Sequence, residues 1–558
     1  MQQSSPIARR WLARVLVISI FLYALLLLAV WSDTQNLGEA TSGELQLIRS
    51  DIVVEQQQEG NDSTIVDSIQ VNNTNTTSTR AGASFETMFK SFLDSEGPSR
   101  MGIPKFTCLG WRQTGECSPD GPRETQNDAS CSTNIKAGAS GYCLLKNKAT
   151  GEEVQTMRVN CSSLQNEIRF NCRQAADFAR VAPQIDALIA AKRQEIKQQE
   201  EMQLQPKNGV LMVMYPKLLA NIYSTVRLLR SYNCSLSVEL WYLENEMGTN
   251  PLNESRILQS LVKDYGPISL RGIAETEVNG FNTKVFALAH SELGQVLFLD
   301  ADNSPVRDPT YLFTTPEFME HGAIFWPDFW HPMNTIFNIN RESLLWELVG
   351  TPYANMLEQE SGQLLIDRRR SKVALEIVQF LALRRPDHFE RLKLLHGDKD
   401  LFRLAWLKTN TSFHMIRTPA AAAGLVKGKQ FCGMTMVQHD PQGEILFLHH
   451  NGKKLIGEEE TSKTHVWTHL QSFVFPENLT SVDTNAGERY EYMTNNYHVR
   501  IFGGGIFRGF TMCYGDTAMK SEHYKTTSWD DLPFKDLEDR LHDFAQVART
   551  LDRPSESQ

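Results

Sequence analysis

An apolar run, Val296-Leu297-Phe298-Leu299, stops at Asp300-Ala301-Asp302-Asn303. The pattern predicts a buried strand whose carboxyl end opens into a loop. Two carboxylates two residues apart at such an end can converge on one point. There they would repel unless a hard divalent cation neutralised them, and Mg²⁺ or Mn²⁺ prefers such oxygen ligands. The same cation can carry a diphosphate, and in open α/β sheets ligands sit outside the carboxyl ends of the strands. Asp-x-Asp is also common in ordinary turns. The apolar strand before it, and Arg307-Asp308-Pro309 closing the turn, raise Asp300 and Asp302 to candidate metal ligands.

Other stretches combine apolar runs with polar ends. Gly322-Ala323-Ile324-Phe325-Trp326-Pro327-Asp328-Phe329-Trp330 sets aromatics beside a carboxylate. Rings stack on the apolar face of a sugar while Asp328 accepts hydroxyl protons; the plainer alternative is an aromatic core patch with a turn. Lys284 lies in an expected helix leading into the metal strand, where it could neutralise a diphosphate or sit on a solvated face. Glu360-Ser361-Gly362-Gln363 opens an apolar run closed by Asp367, and Gly362 would let the backbone approach a ligand closely. Asp398 and Asp400, in His396-Gly397-Asp398-Lys399-Asp400, precede a helix expected near Leu401, whose amino end favours acids. Finally Ile445-Leu446-Phe447-Leu448 ends in His449 and His450, with Lys454 beyond.

In this order, Lys284, Asp-Ala-Asp, Trp-Pro-Asp, Glu-Ser-Gly-Gln, Gly-Asp-Lys-Asp and His-x-Asn-x-x-Lys-Leu resemble the motifs of the fungal-type Golgi α-mannosyltransferases that extend mannan outer chains. These are nucleotide-sugar enzymes of the glycosyltransferase-A fold. The resemblance covers about 205 to 455. It implies His449 as a third metal ligand beside Asp300 and Asp302, and an imidazole suits Mn²⁺ better than Mg²⁺. It implies Lys284 and Lys454 at the diphosphate, and Asp328, Glu360, Ser361, Gly362 and Asp400 at the bound sugars. Asp398 becomes the carboxylate nearest the reacting carbon. The implied reaction is transfer of mannose from GDP-mannose to a mannose-containing glycan, with retention and metal assistance. A UDP-hexose transferase is the alternative in the same class. An inactive lumenal lectin or scaffold is the alternative from another, which loss of a metal ligand would favour.

These residues need a frame. Val210 to Tyr215 and Ser237 to Leu243 read as buried strands, with a helix from Leu218 to Tyr232 between them. Strand and helix alternating over short links predict an α/β, doubly wound sheet, mixed in the glycosyltransferase-A manner, with the Asp300 strand central. Another helix is expected over Lys372 to Leu383. There is no Gly-x-Gly-x-x-Gly and no phosphate-loop signature.

The remainder sets the compartment. Arg9, Arg10 and Arg14 precede an uncharged run from Val15 to Trp31, and Asp33 follows it. The run can just span a bilayer, and the positive flank keeps the short amino terminus cytosolic. The expected order is a cytoplasmic tail (1–14), a signal-anchor (15–31) and a lumenal stem (32–95). A cysteine-rich module (96–175), a helical connector (176–206), the catalytic domain (207–545) and a tail (546–558) follow. The stem is too polar to offset its ordering entropy. Eight glycosylation sequons, beginning at Asn61, Asn72, Asn75, Asn160, Asn233, Asn253, Asn410 and Asn478, fit a single-pass type II protein of the Golgi membrane. Six of the nine cysteines lie between Cys108 and Cys172, which in the lumen implies up to three disulfides in a small module. A net charge of −10 with no basic stripe argues against a nucleic-acid partner. Oligomeric state leaves no mark on the sequence.

Overall fold

The computed structural model describes residues 85–93, 103–198, 207–450, 465–482, 485–507, 512–519 and 521–552 of the 558. All belong to one compact unit, Ala81–Gln558. The cytoplasmic tail, the signal-anchor and most of the stem lie outside the described residues, as do Asn451, Lys453 and Lys454. No helix among the described residues is long and apolar enough to cross a membrane.

The described chain begins with a helix, α1 (Phe85–Leu93), inside the segment expected to be stem. It buries Phe89 and Phe92, and Phe89 meets Phe380 edge to face at 6.4 Å. Two aromatic side chains three residues apart share one helical face, which suffices to dock a short helix. Strands β1 (Phe106–Gln113), β2 (Gly141–Asn147) and β3 (Glu153–Val159) then form an antiparallel sheet. Disulfides Cys108–Cys131, Cys117–Cys161 and Cys143–Cys172 staple this module, the three that the six clustered cysteines allow.

Helix α2 (Ala175–Gln198) occupies most of the expected connector, 176–206, but is part of the core rather than a link. Its stripe of Phe178, Val181, Ile185 and Leu188 is fully buried in the main core. The period of three and four identifies the apolar face, and a partner for that face lies alongside rather than at either end.

Seven strands build the central sheet: β4 (Asn208–Val213), β5 (Ser237–Leu243), β6 (Ile268–Ile273), β7 (Gln295–Leu299), β9 (Ala323–Pro327), β10 (Gln359–Asp367) and β11 (His414–Met415). Between β7 and β9 the chain makes a three-residue strand, β8 (Asn303–Pro305), that belongs elsewhere. Helix α3 (Leu219–Ser231) links β4 to β5, and α4 (Asn282–His290) leads into β7. The spatial order is β11-β9-β10-β7-β4-β5-β6, so the metal strand β7 is the middle of seven. Strands β4, β5, β6 and β7 run parallel, while β10 runs antiparallel to both β7 and β9. Two reversals make β9 parallel to β7 again. The carboxyl ends of β4, β7 and β9 and the amino end of β10 therefore share one edge, and the polar residues collect there. Helices α5 (Lys372–Leu383) and α6 (Leu401–Thr409) follow β10.

A second, antiparallel sheet closes that edge. It contains β8, β12 (Ala421–Lys427), β13 (Gln430–His439), β14 (Ile445–His450) and β15 (His469–Phe473). The hairpin strands β16 (Arg500–Gly503) and β17 (Met512–Gly515) pair with each other, and β17 joins β13; β18 (Tyr524–Ser528) completes the sheet. A fourth disulfide, Cys432–Cys513, fastens β13 to β17. Cys234 is free and buried.

Candidate active site

The register of the second sheet brings the third ligand to the first two. Asn303 of β8 lies opposite His449 of β14, and the β14 backbone donates from His450 N to Asp302 O at 3.1 Å. Asn303 is locked by donating from Nδ2 to Gly362 O at 2.9 Å and to Gln363 Oε1 at 2.5 Å. His449 Nε2 stands 3.3 Å from Asp302 Oδ1 and 3.8 Å from Asp300 Oδ2. One ligand atom from each of Asp300, Asp302 and His449 falls within 4.8 Å of the other two. Two hard oxygens and one imidazole nitrogen that close suit a cation of the Mn²⁺ type. His450, one residue on, faces the other side of the strand and packs on Trp467, ring centroids 4.7 Å apart.

Glu360 orients the imidazole. Its Oε1 lies 3.3 Å from His449 Nδ1 and accepts from Gly362 N at 2.7 Å. Burial would push the Glu360 carboxyl up, yet His449 and Lys284 pull it down to about 2. A carboxylate on the far ring nitrogen fixes the tautomer that offers Nε2 to a metal. Gly362 has a reason in the same place. A Cβ there would lie 2.6 Å from His449 Nδ1, so the glycine makes room for the imidazole itself.

Lys284 is fully enclosed. Its ammonium lies 3.3 Å from Asp300 Oδ1 and 3.0 Å from Asp398 Oδ2, and donates to Ser361 O at 2.9 Å. Burial alone would discharge it, but Asp300 and Asp398 outweigh burial and hold it charged well above its usual range. The lysine expected at a diphosphate is thus directed at the protein's own acids, because a buried ammonium without partners is too costly. Lys399 repeats the device, 2.9 Å from Asp328 Oδ2 and 3.0 Å from Glu358 Oε2. One cation between two buried acids leaves them competing, and burial pushes the Asp328 carboxyl up to about 7 despite Lys399.

Asp300, Asp302, His449, Glu360, Ser361, Lys284, Asp398, Lys399 and Asp328 line one cavity of about 580 Å³, whereas Gly362, Glu358 and Asp400 do not. Asp400 departs from its expected place at a sugar. It is fully buried, accepts from Gln359 N at 2.8 Å and meets Arg403 Nη2 at 2.5 Å. Its left-handed backbone, φ 64°, turns the carboxylate inward to brace the start of β10. The expected Lys454 lies outside the described residues. Lys399, Glu358 and Tyr514 were missed as site residues. A lysine between two aspartates was the available signal for Lys399; nothing in the sequence marks Glu358 or Tyr514.

The mannosyltransferase family model matches residues 207–440. The chain is 24% identical over 296 residues to the α-1,2-mannosyltransferase MNN21 of Candida albicans, covering 44% of each chain. It is 21% identical over 356 residues to the α-1,2-mannosyltransferase MNN5 of Saccharomyces cerevisiae, covering 54% of this chain and 60% of that one. The chain thus spans about half the length of the curated relatives it matches. Core-mannan synthase A of Aspergillus fumigatus, solved in an Mn/GDP form, aligns over 42% of this chain and 77% of that chain at 8% identity and a TM-score of 0.28. The matched segment lies within the stretch whose motifs carried the resemblance, and over residues 207–440 the chain is similar to the mannosyltransferase family.

Proposed function

We propose that the chain is a metal-dependent glycosyltransferase that moves mannose from GDP-mannose to a mannose-containing glycan, retaining the α configuration. The α-1,2 linkage is taken from the names of its relatives. The observation that carries the reading is the convergence of Asp300, Asp302 and His449 within 4.8 Å, inside the family-matched region and at the edge where three strand ends meet. A bound Mn²⁺ would offset the charge that develops on the leaving diphosphate. Asp300, Asp302 and His449 would hold that ion, with Glu360 keeping Nε2 of His449 turned toward it. Lys284 pairs with both Asp300 and Asp398, and Asp398 lines the cavity where it would stand beside the reacting carbon. Asp328, with Lys399, would receive sugar hydroxyls. The glycosyltransferase-A reading of the fold rests on the parallel β4, β5 and β7 with the acidic loop at the end of β7. The run from Val15 to Trp31, with its arginine flank and the sequons beyond, supports a single-pass anchor in the Golgi membrane with a lumenal catalytic part.

The test is transfer by the purified protein from a panel of nucleotide sugars, with Mn²⁺ and with chelator. Mannose should move from GDP-mannose in the presence of Mn²⁺ alone. Consumption of a UDP-hexose with GDP-mannose untouched would replace the donor, and full activity under chelation would remove the metal.

A further inference from the structure

Two chemically different sets of side chains line the cavity. One is polar: the metal triad and the lysine-linked acids. The doubly wound half adds Val213, Tyr215 and Leu218, and α/β sheets seat nucleotides at such crevices. The other set is apolar. Of the nine large hydrophobic side chains exposed among the described residues, four line this cavity: Phe281, Ile336, Ile501 and Met512. Exposed apolar side chains gathered in one concave place mark a contact surface.

Two parts of the chain hold these apolar residues in place. Ile501 and Tyr514 are cross-strand partners on the β16–β17 hairpin, and Tyr514 stacks on Phe329 at 5.6 Å and 25°. The disulfide Cys432–Cys513 ties the hairpin to β13 next to that ring. The loop carrying Ile336 and Phe337 leans on the cysteine-rich module. The Gln165 side chain donates to Ile336 O, and Asn338 and Asn340 each donate to Ser162 O at 3.4 Å. Ser162 follows Cys161, which is bonded to Cys117. Phe337 in turn stacks on His396 at 5.9 Å and 12°. Both supports come from outside residues 207–440.

We propose that Ile501, Met512 and Tyr514, with Ile336 and Phe337 of the same cavity wall, form the acceptor subsite and take the C–H face of a pyranose. The inference rests on the mannosyltransferase reading above. A pyranose has a polar rim and an apolar face. Rings and aliphatic side chains cover that face, while Asp328 and Glu360, which line the same cavity, can accept from its hydroxyls. The hairpin and the module-braced loop then act together as a fixed slot that selects the acceptor.

The test is initial-rate kinetics of the full chain with GDP-mannose, Mn²⁺ and a free mannoside acceptor, together with Mn²⁺-dependent GDP binding measured by calorimetry. Met512 and Ile501 are exposed, so Met512→Ser and Ile501→Ser should fold; Tyr514→Ala and the conservative Tyr514→Phe complete the set. Losing such a contact should raise the acceptor KM about fivefold to tenfold. Tyr514→Phe should restore it, and neither the KM for GDP-mannose nor GDP binding should move. An acceptor KM unchanged in both Met512→Ser and Tyr514→Ala overturns the subsite while leaving the donor reading intact. A rise in the donor KM instead would assign this wall to the nucleotide. An effect confined to peptide-linked or lipid-linked acceptors would assign it to the aglycone, against the inference. Wild-type protein that neither binds GDP with Mn²⁺ nor transfers from GDP-mannose sinks the donor reading, and this inference with it.

Discussion

His449 and His450 are neighbours in sequence with opposite surroundings. His449 faces Asp300, Asp302 and Glu360, whereas His450 is buried against Trp467. Period-two alternation at the end of β14 separates them. His449→Ala and Asp302→Ala should each lower Mn²⁺-dependent transfer by ~10²–10³, the usual size of a lost charge-stabilising contact. His450→Ala should keep most activity and instead lower the melting temperature through lost ring packing. Transfer by the three folded variants checks this, and an active His449→Ala beside a dead His450→Ala would shift the ligand by one residue. Gly362→Ala tests the same imidazole without touching its chemistry. The added methyl would press on a ring only 2.6 Å away, and displacing a ligand by about 1 Å can cost ~10² in rate. The expected signature is a weaker apparent Mn²⁺ affinity in a protein that still folds. No change in Mn²⁺ dependence would mean the ring has room to give.

At the scale of elements, strand and helix periods made most of the frame legible before any coordinates. Ser237–Leu243 and Lys372–Leu383 form over the residues expected, and the helix between the first two strands forms as Leu219–Ser231. Those segments carry their own pattern. What they pack against does not show in a linear pattern, which is why α2 was read as a connector and α1 as stem. The site divides in the same way. Asp300, Asp302, Asp328 and Asp398 sit beside apolar runs and could be picked out locally. Asp400 and Lys284 could not have their partners assigned, because those come from residues far along the chain: Gln359 for Asp400, Asp300, Ser361 and Asp398 for Lys284. Tyr514 depends on a hairpin and a disulfide that only the fold joins. The docking of α2 is itself testable. Asp177 on α2 meets Arg384 Nη2 at 2.8 Å and His388 Nε2 at 2.7 Å, just beyond the end of α5. Burial would raise its carboxyl, but His388 and Arg384 pull it down to about 2, below the ordinary 3.8. A folded pKa below the unfolded one adds stability at higher pH and loses it as pH falls through both values. Asp177→Asn should therefore cost about 2 kcal/mol near neutrality. The difference in melting temperature from wild type should close between about pH 4 and about pH 2. A gap that stays constant across that range would deny the ion pair its role.

The whole described unit shares its interior. One hydrophobic cluster contains Trp111, Leu145, Met157 and Phe170 from the cysteine-rich module together with Phe325, Phe380 and Trp406 from around the central sheet. The module therefore does more than space the catalytic part from what precedes it. Its polar attachment is concentrated on Glu347, a side chain in the short helix Leu344–Val349 that follows the module-braced loop. Glu347 accepts from Thr156 Oγ1 at 2.9 Å, Met157 N at 2.8 Å and Arg158 N at 2.9 Å, all on β3. Burial pushes its carboxyl up, and those donors pull the other way. Removing the acceptor strands three donors, each costing ~1–3 kcal/mol if left unsatisfied. Disulfides keep the module's own chain closed, so it could in principle melt by itself. The shared cluster predicts that it does not. Calorimetry of the oxidised protein should give one cooperative transition for module and catalytic part together. Glu347→Ala should move that whole transition to lower temperature without splitting it. Because the loop bearing Ile336 and Phe337 leans on the same module, the variant should also raise the acceptor KM at temperatures where the protein is still folded. Two resolved transitions in the wild type, with the second unmoved by Glu347→Ala, would show that the module is an independent domain with no hold on the site.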